Sequence, residues 1–219
     1  MPLNTTRRAL LIGAPIAAAG AWMLSGRGGA LPPLAASAQD AAVDTSGIAE
    51  MAMGAEDAPV TLTEYASFTC PHCKTWHDEI MPGIKADYVD TGRVRFVYRE
   101  VYFDRYGLWA AMLARCGGPE RYFGIVDLLY GEQAEWARGE PAQVAENLRR
   151  IGLKAGLDQA QIEACMADGE TAQALVTLYE ERAAADGINS TPSFLIGDEK
   201  LPNLSEADLR AALDAALAG

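Results

Sequence analysis

Apolar and polar positions along this chain follow two different periods, and the change of period divides it into regions. From Val60 to Phe68 the positions alternate. Val60, Leu62, Glu64 and Ala66 fall on one side, and Thr61, Thr63, Tyr65 and Ser67 on the other. Such alternation after a proline predicts a strand. Arg93 to Tyr98 predicts a second strand, with Val94, Phe96 and Tyr98 on one face. Between them a helix is expected from Cys70-Pro71-His72-Cys73 to about Asp90, interrupted at Pro82-Gly83. A proline inside a helix removes a hydrogen bond and bends the axis.

From Asp104 to Ala185 the period is helical. Ala110, Ala111, Leu113 and Ala114 form one apolar stretch. Tyr122, Ile125, Leu128 and Leu129 form the next, and Val144, Leu148 and Ile151 a third. Gly117-Gly118-Pro119 and Gly139-Glu140-Pro141 separate these segments. Strand character returns at Ser193 to Ile196, directly after Thr191-Pro192, and Gly197-Asp198 predicts a hairpin turn. Ser205 and Asp208 open a last helix with Leu209, Leu213 and Leu217 at four-residue spacing. The order is strand, helix, strand, helical block, strand, strand, helix. It predicts a small α/β sandwich over 58–103 and 187–219, with a helical domain inserted over 104–186. Residues 39–57 have no steady period and are expected to be a linker or N-terminal arm.

The first 38 residues read as an export signal peptide, which is excluded from fold reasoning. Arg7 and Arg8 form its positive start, Ala9 to Leu24 an uncharged apolar run, and Ala36-Ser37-Ala38 a cleavage site. Thr6-Arg7-Arg8-Ala9-Leu10-Leu11 resembles a twin-arginine signal, so both the secretory and the twin-arginine route are open. The chain carries 18 basic and 30 acidic residues. Without the leader's Arg7, Arg8 and Arg27 the excess of acid grows. Such a surface repels nucleic acid and anionic membranes.

Export places the four cysteines in an oxidising compartment. Cys70 and Cys73 close a strand and open a helix. A helix N-terminus presents free N–H groups and partial positive charge, which stabilise a thiolate at Cys70. His72 can add a donor or a positive charge, and Pro71 starts the helix. Stabilising the reduced, thiolate form makes the disulfide a stronger oxidant. Cys70 is the exposed nucleophile and Cys73, a turn deeper, the resolving thiol. A structural staple and half of a zinc site are the alternatives. A staple this short adds little stability, and zinc needs two further ligands where only His77, Cys116 and Cys165 remain.

Glu64-Tyr65-Ala66-Ser67-Phe68-Thr69-Cys70-Pro71-His72-Cys73 resembles the active-site strand and helix start of the DsbA family of thioredoxin-fold proteins. Gly187-Ile188-Asn189-Ser190-Thr191-Pro192-Ser193-Phe194 resembles that family's cis-proline loop. The resemblance covers roughly 58–218 and implies a thioredoxin fold with an inserted helical domain. It implies that Thr191-Pro192 is cis, faces the cysteines and binds substrate. It places Glu64 as a buried acid beneath the pair, with a pKa raised by desolvation. No cofactor beyond the redox-active disulfide is implied. The implied activity is a periplasmic dithiol oxidase acting on unfolded exported proteins with free cysteines, and the implied partner is a DsbB-type, quinone-coupled membrane reoxidant. Relatives of the alpha-proteobacterial type carry a second cysteine pair in the helical domain, which implies a structural disulfide between Cys116 and Cys165. Two buried free thiols are the alternative.

His77 is expected to pack at the surface and Trp76 around the active site. A disulfide isomerase or reductase of the same fold, and a non-catalytic chaperone-like module, are the competing readings. Isomerases of this kind dimerise through an added N-terminal domain. Residues 39–57 are too short for one, which points to a monomer.

Overall fold

The computed structural model describes residues 42–202 and 205–219. The signal-peptide expectation lies outside them. The described chain builds a mixed sheet of β1 (Met51–Met53), β2 (Val60–Ala66), β3 (Val94–Glu100), β4 (Ser193–Ile196) and β5 (Glu199–Lys200). The order across the sheet is β1-β3-β2-β4-β5. β2 and β3 run parallel, and every other neighbour is antiparallel.

Central β2 is buried on both faces. Leu62 and Ala66 join one core with Phe96 and Tyr98 of β3, Trp76 of α1 (Pro71–Glu79), and Leu209 and Leu213 of α9 (Glu206–Leu217). On the other face Tyr65 packs with Val101 and Leu195 beneath Tyr179 and Ile188. A strand so covered loses the free choice of polar residues that an exposed face would have. Glu64 therefore requires a special explanation.

Two expectations are corrected. Residues 39–57 are not all linker: Met51 to Met53 form an edge strand, paired with Tyr98 to Phe96 of β3. Three residues are too few to display a period, and this strand exists because β3 offers a free edge. The predicted long helix is also divided differently. α1 ends at Glu79, a single turn α2 (Met81–Ile84) follows, and Lys85–Val89 forms a π-helical turn. The break falls at Ile80, ahead of Pro82, because that proline occupies the first turn of the new helix, where its missing N–H costs nothing.

Between β3 and β4 lies the helical block: α3 (Arg105–Cys116), α4 (Pro119–Gly131), α5 (Gln133–Trp136), α6 (Pro141–Lys154), α7 (Gln159–Met166) and α8 (Gly169–Ala185). Asp104 caps α3 by accepting from the N–H groups of Tyr106 and Gly107. A buried ion pair ties the block to the sheet. Arg115 of α3 donates two hydrogen bonds of 2.7 Å to Glu100 of β3, which also accepts from the Tyr122 hydroxyl of α4.

Candidate active site

The site forms where β2 ends. Ser67 to Cys70 leave the strand, and Pro71 starts α1 with Cys70 at the cap position. Cys70 is half-buried and Cys73 fully buried, and both are free thiols. Across from them the Thr191–Pro192 peptide bond is cis. The Thr191 carbonyl lies 3.6 Å from Cys70 Sγ and accepts from its thiol.

The two sulfurs have opposite acidities. Cys70 is lowered to about 5, first by the hydrogen bond from the Cys73 thiol, opposed by partial burial, then by the Thr191 side chain and by the backbone N–H groups of Cys73 and His72. Cys73 is pushed far up, first because it is the donor to Cys70, then by burial and by the charge of Glu64. One sulfur is thus held ready as an anion and its neighbour as a thiol. His72 acts on Cys70 through its backbone N–H, while its side chain is exposed at the rim.

Glu64 is fully buried, paired in register with Tyr98 on one side and Phe194 on the other. Burial pushes its carboxyl up, and His77 pulls it back. Among the described residues only one of its oxygens is bonded: Oε2 lies 2.9 Å from His77 Nε2, and buried Oε1 has no partner. The surface role expected for His77 is therefore corrected. Its side chain is 6% exposed, stacked on the Tyr130 ring at 4.3 Å. A signal for this was present, since Cys73, Trp76 and His77 stand at i, i+3 and i+4, one face of a helix. Trp76 packs as expected, 4.9 Å from the Phe194 ring.

A second residue was missed altogether. Gln133, buried in the short α5, donates from Nε2 to the carbonyls of Phe68 at 2.8 Å and Cys70 at 3.0 Å. Beside the thiols a groove of about 560 Å³ runs between α1 and the cis-proline loop, lined by His72, Trp76, Ile80, Pro192, Phe194 and Leu201. Cys116 and Cys165 stand apart from this site, bonded to each other across α3 and α7. Among the described residues no cluster of side chains suits a metal ion.

A thioredoxin family profile matches residues 46–215. The chain belongs to the thioredoxin family. Its fold is that of the DsbA-like thioredoxins, in which a helical domain is inserted into the sheet domain. The crystal structure of Wolbachia pipientis alpha-DsbA1 superposes with a TM-score of 0.71 at 27% identity, covering 77% of this chain and 91% of that one. A Rickettsia bellii protein provisionally named a protein-disulfide oxidoreductase is 30% identical over 169 residues, 77% of this chain but 64% of its own. The chain thus spans less than two thirds of that relative. Disulfide bond formation protein D of Bacillus subtilis is 27% identical over 168 residues, 71% of each chain. Within this thioredoxin frame, the cysteine pair, the cis-proline loop and the Glu64–His77 pair meet at one end of β2.

Proposed function

We propose that this chain is an exported thiol–disulfide oxidoreductase that introduces disulfides into other proteins through Cys70 and Cys73. The observation that carries the reading is the contrast between the two sulfurs. The Cys70 thiol is lowered to about 5 by a neighbouring donor and helix N–H groups. A stabilised thiolate is a good leaving group, and it favours the reduced protein, which makes the disulfide readily given away.

In the forward reaction a substrate thiolate attacks Cys70 Sγ of the oxidised pair. The Cys70–Cys73 bond breaks, Cys73 leaves with the electron pair and takes a proton, and a mixed disulfide joins substrate to Cys70. The substrate's second thiolate then attacks its own bridged sulfur, and Cys70 departs as a thiolate. Two electrons have moved from the substrate dithiol to the protein. Glu64, its carboxyl raised by burial, is suited to supply the proton to Cys73. An extended segment of unfolded substrate would lie in the groove and pair with the Thr191 backbone, as a strand adds to a sheet edge.

The turnover then needs a reoxidant, for which a DsbB-type, quinone-coupled membrane protein fits the chemistry. Among the described residues no helix is long and apolar enough to cross a membrane. We read the chain as a periplasmic domain delivered by the Arg7-Arg8 leader and working as a monomer. Equilibration with glutathione tests the reading. An oxidant holds its cysteines reduced at glutathione ratios that leave an ordinary dithiol bridged. Refolding of reduced ribonuclease, compared with rescue of scrambled ribonuclease, separates oxidase from isomerase. Greater activity on the scrambled substrate would overturn the oxidase assignment.

A further inference from the structure

The helical block grips the active-site turn by its backbone. Tyr130, at the end of α4, donates from its hydroxyl to the Ser67 carbonyl at 3.3 Å. Gln133, three residues on, spends its amide nitrogen on the carbonyls of Phe68 and Cys70. Asp104, the cap of α3, accepts from the Thr69 hydroxyl at 2.7 Å. Every residue from Ser67 to Cys70 is therefore held from the inserted block, through three side chains on three of its elements.

Gln133 is the member of this set whose role lies beyond holding the block together. α5 has other ties: the Trp136 indole N–H donates to the Leu129 carbonyl at 2.7 Å, and Asn147 donates to the Glu135 carbonyl at 3.2 Å. The orientation of the Gln133 amide is also fixed by chemistry. Both of its neighbours are carbonyls, so only the nitrogen can face them.

We propose that Gln133 is a positioning residue for the exchange reaction, gripping the Cys70 backbone so that its sulfur is presented at the mouth of α1 with the negative end of its own carbonyl covered. The inference rests on the exchange chemistry proposed above. The Cys70 carbonyl accepts two donors, the Lys74 N–H at 3.2 Å within α1 and the Gln133 amide. That carbonyl belongs to the residue bearing the nucleophilic sulfur, and its oxygen is a fixed negative dipole end on the same residue as the thiolate. A donor on it cancels part of that repulsion. It also fixes the extended cap conformation of Cys70, φ −81° and ψ 120°, from which the sulfur meets the N–H groups of His72 and Cys73.

The test uses the full reduced chain with Gln133→Met, which keeps the volume and removes both donors, and Gln133→Glu, which keeps the shape. Thiolate absorbance in the ultraviolet reads the Cys70 titration, and equilibration with glutathione reads the redox balance. Both variants are expected to titrate at higher pH. The Met variant should move by about one unit, with a roughly tenfold fall in the tendency to become reduced. Circular dichroism confirms folding, and the isosteric Glu variant carries the test if the Met variant does not fold. A folded variant that melts lower but titrates and equilibrates like the parent would overturn the proposal and leave Gln133 a purely structural residue. The comparison is between variant and parent. If the parent Cys70 titrated like free cysteine, the oxidant reading would fail, while the difference would still decide Gln133.

Discussion

Glu64 Oε2 and His77 Nε2 lie 2.9 Å apart inside the core, and among the described residues this is the sole hydrogen bond of a fully buried carboxyl. The pair joins the central strand to the motif helix directly beneath the resolving cysteine. Removing the imidazole would leave Glu64 with neither oxygen bonded, a state costing about 2–4 kcal/mol when ionised. His77→Phe, which preserves the stack on Tyr130, is therefore expected to destabilise the protein. The loss depends on pH with a definite sign. Burial raises the folded-state pKa of Glu64 above its ordinary value of 4.5, so the unfolded chain ionises first. Stability is then lost as pH rises from about 4.5 through the folded value. The deficit of His77→Phe should shrink toward the acid side and be largest at neutral pH. Denaturant melts at several pH values measure it.

The Cys70 thiol, lowered to about 5 by the Cys73 donor, gives a prediction of opposite sign. The unfolded thiol titrates near 9. The Cys70 contribution to the stability of the reduced protein therefore grows as pH rises from 5 toward 9, and it is complete above 9. Cys70→Ser cannot show it. The stability difference between reduced parent and this variant should widen across that window and be flat below it. The oxidised form, which has no thiolate, should melt below the reduced form at neutral pH. A reduced form that melts lower would contradict the thiolate account.

Local chemistry was legible in the sequence wherever it depends on neighbours along the chain. Cys70 and Cys73 follow from their spacing at a helix start, and Glu64 from the resemblance of its strand to the DsbA family's active-site strand. The inserted block follows from a helical period sustained between two strands. What escaped depends on partners far away in sequence. Met51 to Met53 become a strand only against β3. His77 gains its meaning from Glu64 on another element, although its place beside Cys73 on the helix face hinted at burial. Gln133 sits in a polar stretch, Gly131-Glu132-Gln133-Ala134-Glu135, with nothing local to set it apart, and its partners lie more than sixty residues earlier.

Arg115 and Glu100 should matter to stability far more than a surface ion pair does. Their side chains are 10% and 5% exposed, and Glu100 also accepts from Tyr122. Arg115→Met would strand a buried carboxylate, at a cost of about 3–5 kcal/mol. Adding Glu100→Gln to that variant should recover part of the loss, because the uncompensated charge disappears. Equilibrium unfolding of the two single variants and the double variant gives the coupling. Simple additivity would mean that the two side chains act independently.

The Cys116–Cys165 bond links the end of α3 to α7 across 49 residues of chain, and Gln161 donates to the Cys116 carbonyl at 2.8 Å beside it. Closing a loop of that length restricts the unfolded chain by about 4 kcal/mol at most, and typical measured values are about 2–4. Cys116→Ala with Cys165→Ala should therefore lower stability by an amount in that range. The Cys70 titration should stay in place, since Gln133 and Tyr130 grip the active-site turn from α5 and α4, and Asp104 grips it from the end of α3 opposite Cys116. A double variant as stable as the parent would show that the bond does not restrain the unfolded state. A shifted Cys70 titration would show instead that strain in the block reaches the turn, making the second disulfide part of the redox tuning. Unfolding curves and the thiolate absorbance of the same sample separate these two outcomes.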